Sequence, residues 1–130
     1  MIALILAAAA AGAAPAPALT DPFDVTGTWA VVAPFPAANG RAGSTATPVC
    51  TFQQAAGRLR GSCRGPIAIG TAIGAIEGRK LSWKWAAEFY TVANADTVGT
   101  FEATLGEDGK TLTGTMSLRG ATAPMTAKKQ

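Results

Sequence analysis

The stretch Leu81-Ser82-Trp83-Lys84-Trp85-Ala86-Ala87-Glu88-Phe89 alternates in strict period two. Leu81, Trp83, Trp85, Ala87 and Phe89 fall on one side, and Ser82, Lys84, Ala86 and Glu88 on the other. A helix would scatter those apolar side chains around its axis, so this is a strand with one buried face. A strand of this kind needs neighbours that hide the same face, and the chain supplies them. Val25, Trp29 and Val31 alternate within Asp24–Val32, and Cys50 and Phe52 within Pro48–Gln54. Leu59, Gly61 and Cys63 share a side of Arg58–Arg64, opposite Arg58, Arg60 and Arg64. Ile67–Ile76 is apolar and punctuated by Gly, Val98–Leu105 alternates, and Thr111–Arg119 sets Leu112, Gly114, Met116 and Leu118 against hydroxyls. Ala123–Lys128 closes the series.

Turn residues separate these segments: Ala55-Ala56-Gly57, Glu77-Gly78-Arg79-Lys80, Glu107-Asp108-Gly109 and Gly120-Ala121-Thr122. Pro34 and Pro36 are expected to stop the first strand, leaving Ala37–Thr47 as a loop of small residues around Asn39-Gly40. Thr91–Thr97 reads as a polar connection. Eight strands joined mainly by short turns predict an all-β, eight-stranded antiparallel up-and-down β-barrel. An open sheet would leave its apolar face wet, so closure is expected. Glycines inside strands at 27, 61, 99 and 114 suit the sharp bending of a small barrel.

Register within one hairpin follows from its turn. If Gln54 pairs with Leu59, Phe52 faces Gly61 and Cys50 faces Cys63, with both sulfurs on the inner side. That places a disulfide between Cys50 and Cys63 within permitted geometry. A disulfide fits an oxidising compartment. Residues 1–18, MIALILAAAAAGAAPAPA, point the same way. The apolar run from Ile2 to Ala14 is shorter than the ~20 residues of a membrane span and ends in small residues, the form of a secretory signal peptide. Cleavage after Ala18 is expected, leaving residues 19–130 as a single periplasmic or secreted barrel domain with no stable membrane anchor.

The chain lacks histidine, which excludes Ser-His-Asp and Cys-His catalysis and His-ligated metal sites. Glu88 and Glu102 fall on outward positions and Glu107-Asp108 sits in a turn, so no inward carboxylate pair emerges. The chain is therefore expected not to be an enzyme, and to use no metal and no cofactor. The net charge of +3 is scattered, and no aromatic-basic motif of a nucleic-acid module is present, so no nucleic-acid partner is expected. Arg58, Arg60 and Arg64 line one outer face and read as a solvated row or a contact for an anionic surface.

Several short motifs resemble those of calycins, the superfamily of avidins and lipocalins. Gly27-Thr28-Trp29 resembles their first-strand Gly-x-Trp, and Gly57-Arg58-Leu59-Arg60-Gly61-Ser62-Cys63 the avidin-type G-x-L-x-G-x strand. Leu81-Ser82-Trp83-Lys84-Trp85 resembles the avidin W-x-V-x-W, and Met125-Thr126-Ala127-Lys128 the closing F-T-K. The span from Cys50-Thr51-Phe52-Gln53 to Cys63 is also similar to a hairpin in short exported bacterial proteins of unassigned role. The resemblance implies a barrel fold. It does not imply biotin binding, because the first-strand hydroxyl ligands lack a counterpart and Tyr90 is the sole tyrosine.

Trp29, Trp83, Trp85 and Phe101 form an inward aromatic stripe. It reads either as packed core or as the wall of an apolar pocket at a barrel mouth, since eight strands leave room for both. The functional expectation is a binding module for a small apolar or amphipathic ligand, with these four residues as its candidates. The alternative is a protein partner, as in periplasmic protease inhibition or an envelope accessory role. For the inhibitor version, residues 19–25 would be an extended arm.

Overall fold

The computed structural model describes residues 23–38, 40, 42–90 and 97–130. The expected signal peptide, residues 1–18, lies outside them, as does most of the connection expected at Thr91–Thr97. Nine strands are formed: β1 (Gly27–Phe35), β2 (Ser44–Ala46), β3 (Val49–Ala55), β4 (Arg58–Arg64), β5 (Ala68–Glu77), β6 (Lys80–Phe89), β7 (Thr97–Leu105), β8 (Thr111–Leu118) and β9 (Ala121–Lys129). From β3 to β9 each strand pairs antiparallel with the next, and β1 pairs with both β3 and β9. The result is a closed eight-stranded up-and-down barrel with β2 appended outside the ring. It contains no helix among the described residues and is consistent with a calycin-like fold.

The β3–β4 register is the one the hairpin turn requires: Gln54 opposite Leu59, Phe52 opposite Gly61 and Cys50 opposite Cys63. The two cysteines are fully buried and joined, with their Cα atoms 4.0 Å apart. The turn itself is Ala56-Gly57, both left-handed at φ 52° and 78°, as a two-residue hairpin loop with the right-handed twist of its strands demands.

Three expectations need correction. Pro34 does not stop β1, which runs to Phe35. Past Val32 the strand leaves β9 and has β2 alone beside it, an edge setting in which a proline's missing N–H costs no ladder bond. The span Ala37–Thr47 is accordingly not all loop, because Ser44–Ala46 pairs with Ala33–Phe35. The last turn is Arg119-Gly120 and not Gly120–Thr122, with φ 52° and 80°. Nothing in an arginine signals a left-handed residue, so composition placed that turn one position late.

The interior is filled by unequal neighbours. Trp83 lies opposite Gly74 and Trp85 opposite Ala72, so β5 presents small residues where β6 presents indoles. A Cβ at Gly74 would sit 2.6 Å from Trp83 Cβ and on the Ser82 carbonyl, a separation that side chains do not tolerate. Trp83 stacks on Phe101 with centroids 4.6 Å apart and planes within 8°, and meets Phe52 edge-on at 5.0 Å. These are the favoured geometries of aromatic pairs.

One end of the barrel is plugged by the chain's own entry segment. Val25 is fully buried, and its carbonyl accepts a hydrogen bond from Trp29 Nε1 at 2.9 Å. Gln54, at the inward-facing end of β3, accepts from the Val25 N–H at 2.8 Å and donates to the Phe23 carbonyl at 2.7 Å. The Arg79 guanidinium sits 4.9 Å from the Phe23 ring centroid. Of the arm expected at 19–25, the part from Phe23 onward is thus tied to the barrel. Gln54→Ala is expected to lower stability by about 1–2 kcal/mol, because it leaves the Val25 N–H and Phe23 carbonyl without these partners. Urea unfolding checks the magnitude, and faster amide exchange at Val25 checks the location.

Candidate functional site

Among the described residues, the opposite end is left open. There, a cavity of about 640 Å³ is bounded by the β1–β2 strap and by the β4–β5 and β8–β9 turns. Its wall is built from the last inward positions of several strands: Trp85, Ala87 and Phe89 from β6, and Met116 and Leu118 from β8. Phe35, Ala46 and Pro48 close the other side, and Pro66 and Ile67 the rim. These side chains meet because each strand's inward phase continues to the rim, where the interior widens beyond what the core fills. The strap depends on Ala33 and Pro48, both fully buried, which anchor the crossing from β1 toward β3.

Among the described residues that line the mouth, the charged one is Arg119. Its guanidinium lies 4.6 Å from the Phe89 ring centroid, a cation–π contact that holds it on the rim. The left-handed conformation at Arg119 and Gly120 makes the tight turn that brings this side chain there. Carboxylates whose acidity the fold shifts lie at the plugged end. Asp24 is held below the usual carboxylate value first by the Thr26 N–H, and Asp108 first by the Lys110 N–H. No charged or polar side chain is buried among the described residues.

The four residues picked out by the sequence are brought together in the interior but at different depths. Trp85 lines the cavity, where its Cη2 lies 3.8 Å from the position a Cβ on Gly65 would take. Trp29, Trp83 and Phe101 lie within the barrel, at most 1% exposed. The indole N–H groups of Trp83 and Trp85 are buried without an acceptor among the described residues, a condition that costs about 1–3 kcal/mol per group. Phe89, Met116 and Leu118 were legible as inward residues but not as mouth residues. Phe35, between two prolines, and Arg119, in a turn, carried no such signal. No family model matches the chain, and the search of curated proteins gave no match.

Proposed function

We propose that this protein is a binding module that holds a small apolar or amphipathic ligand at the open end of its barrel. The observation that carries the reading is the mouth cavity of about 640 Å³ with aromatic and aliphatic walls. Sites for small molecules are concave, mostly apolar and commonly ~300–1,000 Å³ in volume. The mouth lies at the end away from the one that the entry segment occupies. The calycin-like resemblance of the strand motifs agrees with this use of a barrel. The buried Cys50–Cys63 disulfide is compatible with an oxidising extracellular or periplasmic setting, and the proposed site of action is there.

Titration with the fluorescent amphipathic probe anilinonaphthalene sulfonate is expected to saturate at one probe per chain. Ala46→Phe, at the half-buried strap position that lines the cavity, is expected to weaken that binding about tenfold or more by occupying the space. Thermal melts should show the barrel intact. Native mass spectrometry of protein purified from its own host is expected to show a small-molecule adduct. A clean apo mass together with non-saturable probe binding would sink the proposal.

A further inference from the structure

The exposed large apolar residues are not spread evenly around the barrel. Among the described residues, Ile67, Ile69, Ile73, Tyr90 and Val98 lie on or beside β5 and β6, while Val49 on β3 and Val32 on β1 stand apart. Ile67, Ile69 and Ile73 are 59%, 42% and 65% exposed and form a ridge along the outer side of β5. At ~3.4 Å per residue it is roughly 20 Å long. Tyr90 stands beside its upper end, where the Tyr90 N–H donates to the Ile67 carbonyl at 2.9 Å.

A row of cations flanks this ridge in register. Arg64 lies opposite Ile69, Arg60 opposite Ile73 and Arg58 opposite Ala75. On their other side the same arginines face Val49, Gln53 and Ala55, so none has an acid as a cross-strand partner. Lys84 flanks Ile73 from β6. Across the β3 to β6 ladders the acidic residues are Glu88, opposite Ile69, and Glu77, opposite Lys80 at the far end of β5.

We infer that this face is a docking surface for a bilayer containing anionic phospholipid. The ridge supplies side chains for the acyl boundary, and the adjacent arginines supply guanidinium groups for lipid phosphates. Charge complementarity selects this occupant. A second copy applied through the same face sets Arg58, Arg60, Arg64 and Lys84 against like charge. The closed ring has no free edge along β4 to β6 for strand addition by a peptide. The outer side of a barrel is convex, and a soft interface wraps a convex ridge that a rigid protein groove would have to match. Arginine stems lie along apolar surface while their heads reach polar groups, and tyrosine belongs at the headgroup level. The inference does not rest on the cavity, whose rim shares Ile67 with this face.

Vesicle co-sedimentation tests it on the full chain with its disulfide intact. Wild type and variants share one N-terminus, so the contribution of apolar residues 2–14 is common to all. Binding is expected to vesicles of phosphatidylcholine with one-third phosphatidylglycerol, to exceed binding to phosphatidylcholine alone, and to fall in high salt. Removing one arginine should lower partitioning about fivefold, and the triple variant Arg58→Gln, Arg60→Gln, Arg64→Gln about a hundredfold. Ile69→Ser with Ile73→Ser should lower it about tenfold or more at constant charge. Lys110→Gln with Lys128→Gln and Lys129→Gln, away from this face, removes three charges as the arginine triple does and should change it least. These positions are exposed apart from half-buried Lys129, and thermal melts check that each variant folds. Equal binding to both vesicle types would overturn the inference. So would an arginine triple no weaker than the lysine control. Vesicle binding absent while sedimentation shows a dimer that the isoleucine changes dissolve would assign the face to a second copy instead.

Discussion

Trp83→Ala is expected to lower the free energy of unfolding by about 3 kcal/mol. Truncating a buried aromatic residue typically costs about 3–5 kcal/mol, because transfer energy is lost and the cavity closes only partly. Trp83 is 1% exposed, stacks on Phe101 and meets Phe52 edge-on, so its removal also breaks both ring contacts. The opposite residue is Gly74, which has no side chain to move into the gap. One effect works the other way. The Trp83 N–H has no acceptor among the described residues, and its loss recovers part of a penalty of about 1–3 kcal/mol. The expected value therefore sits at the low end of the range. Small domains have about 5–15 kcal/mol in total, so the variant remains folded with a lowered denaturation midpoint. Guanidinium unfolding measures it, and Trp83→Phe supplies the contrast. Phenylalanine keeps a ring against Phe101 and removes the unpaired donor, so it should cost less than half as much. Similar losses for both variants would show that the indole N–H has a partner.

Replacing both cysteines, Cys50→Ala with Cys63→Ala, is expected to cost about 3 kcal/mol. The bridge spans a sequence separation of 13, and closing a loop of that size restricts the unfolded chain by about this amount on the chain-entropy model. Alanine avoids placing hydroxyls in an apolar interior, which serine would do. The fold should persist, because the β3–β4 ladder runs from Val49–Arg64 to Ala55–Arg58 and the turn that sets it is untouched. A reductant should shift the unfolding midpoint of wild type and leave the double variant unchanged. Two free thiols in the folded, unreduced protein would contradict the pairing. Phe52 is two residues from Cys50 on β3 and lies against Trp83. Combined with Trp83→Ala, the double variant is expected to depart from additivity, as changes in contact do.

Which side is buried was legible in the sequence for β1, β3, β4, β6 and β8, as was the pairing of the two cysteines. Both are local properties. Side chains alternate with period two, and a short turn leaves one register for the strands it joins. The alternation of Leu81, Trp83, Trp85 and Phe89 and the facing of Cys50 and Cys63 depend on nothing beyond a hairpin. Position along the barrel axis is not local. It follows from the stagger accumulated around the ring, and from the β1–β9 pairing that closes it, Trp29 opposite Lys129 through Val32 opposite Thr126. Trp83 and Trp85 have the same inward phase, yet one is packed between rings and the other walls a cavity. Only closure separates them. The same holds for Gln54, whose inward position became a clamp on Phe23 and Val25 because the entry segment crosses that end. It holds again for Arg119, brought to the open end beside Phe89. The sequence by itself determined the all-β class, the buried faces of β1, β3, β4, β6 and β8, and the disulfide, since each follows from neighbours along one or two strands. The tertiary structure decided which end is plugged, which aromatic side chain meets the opening and which outer face gathers isoleucines beside arginines, since each depends on stagger between strands distant in sequence.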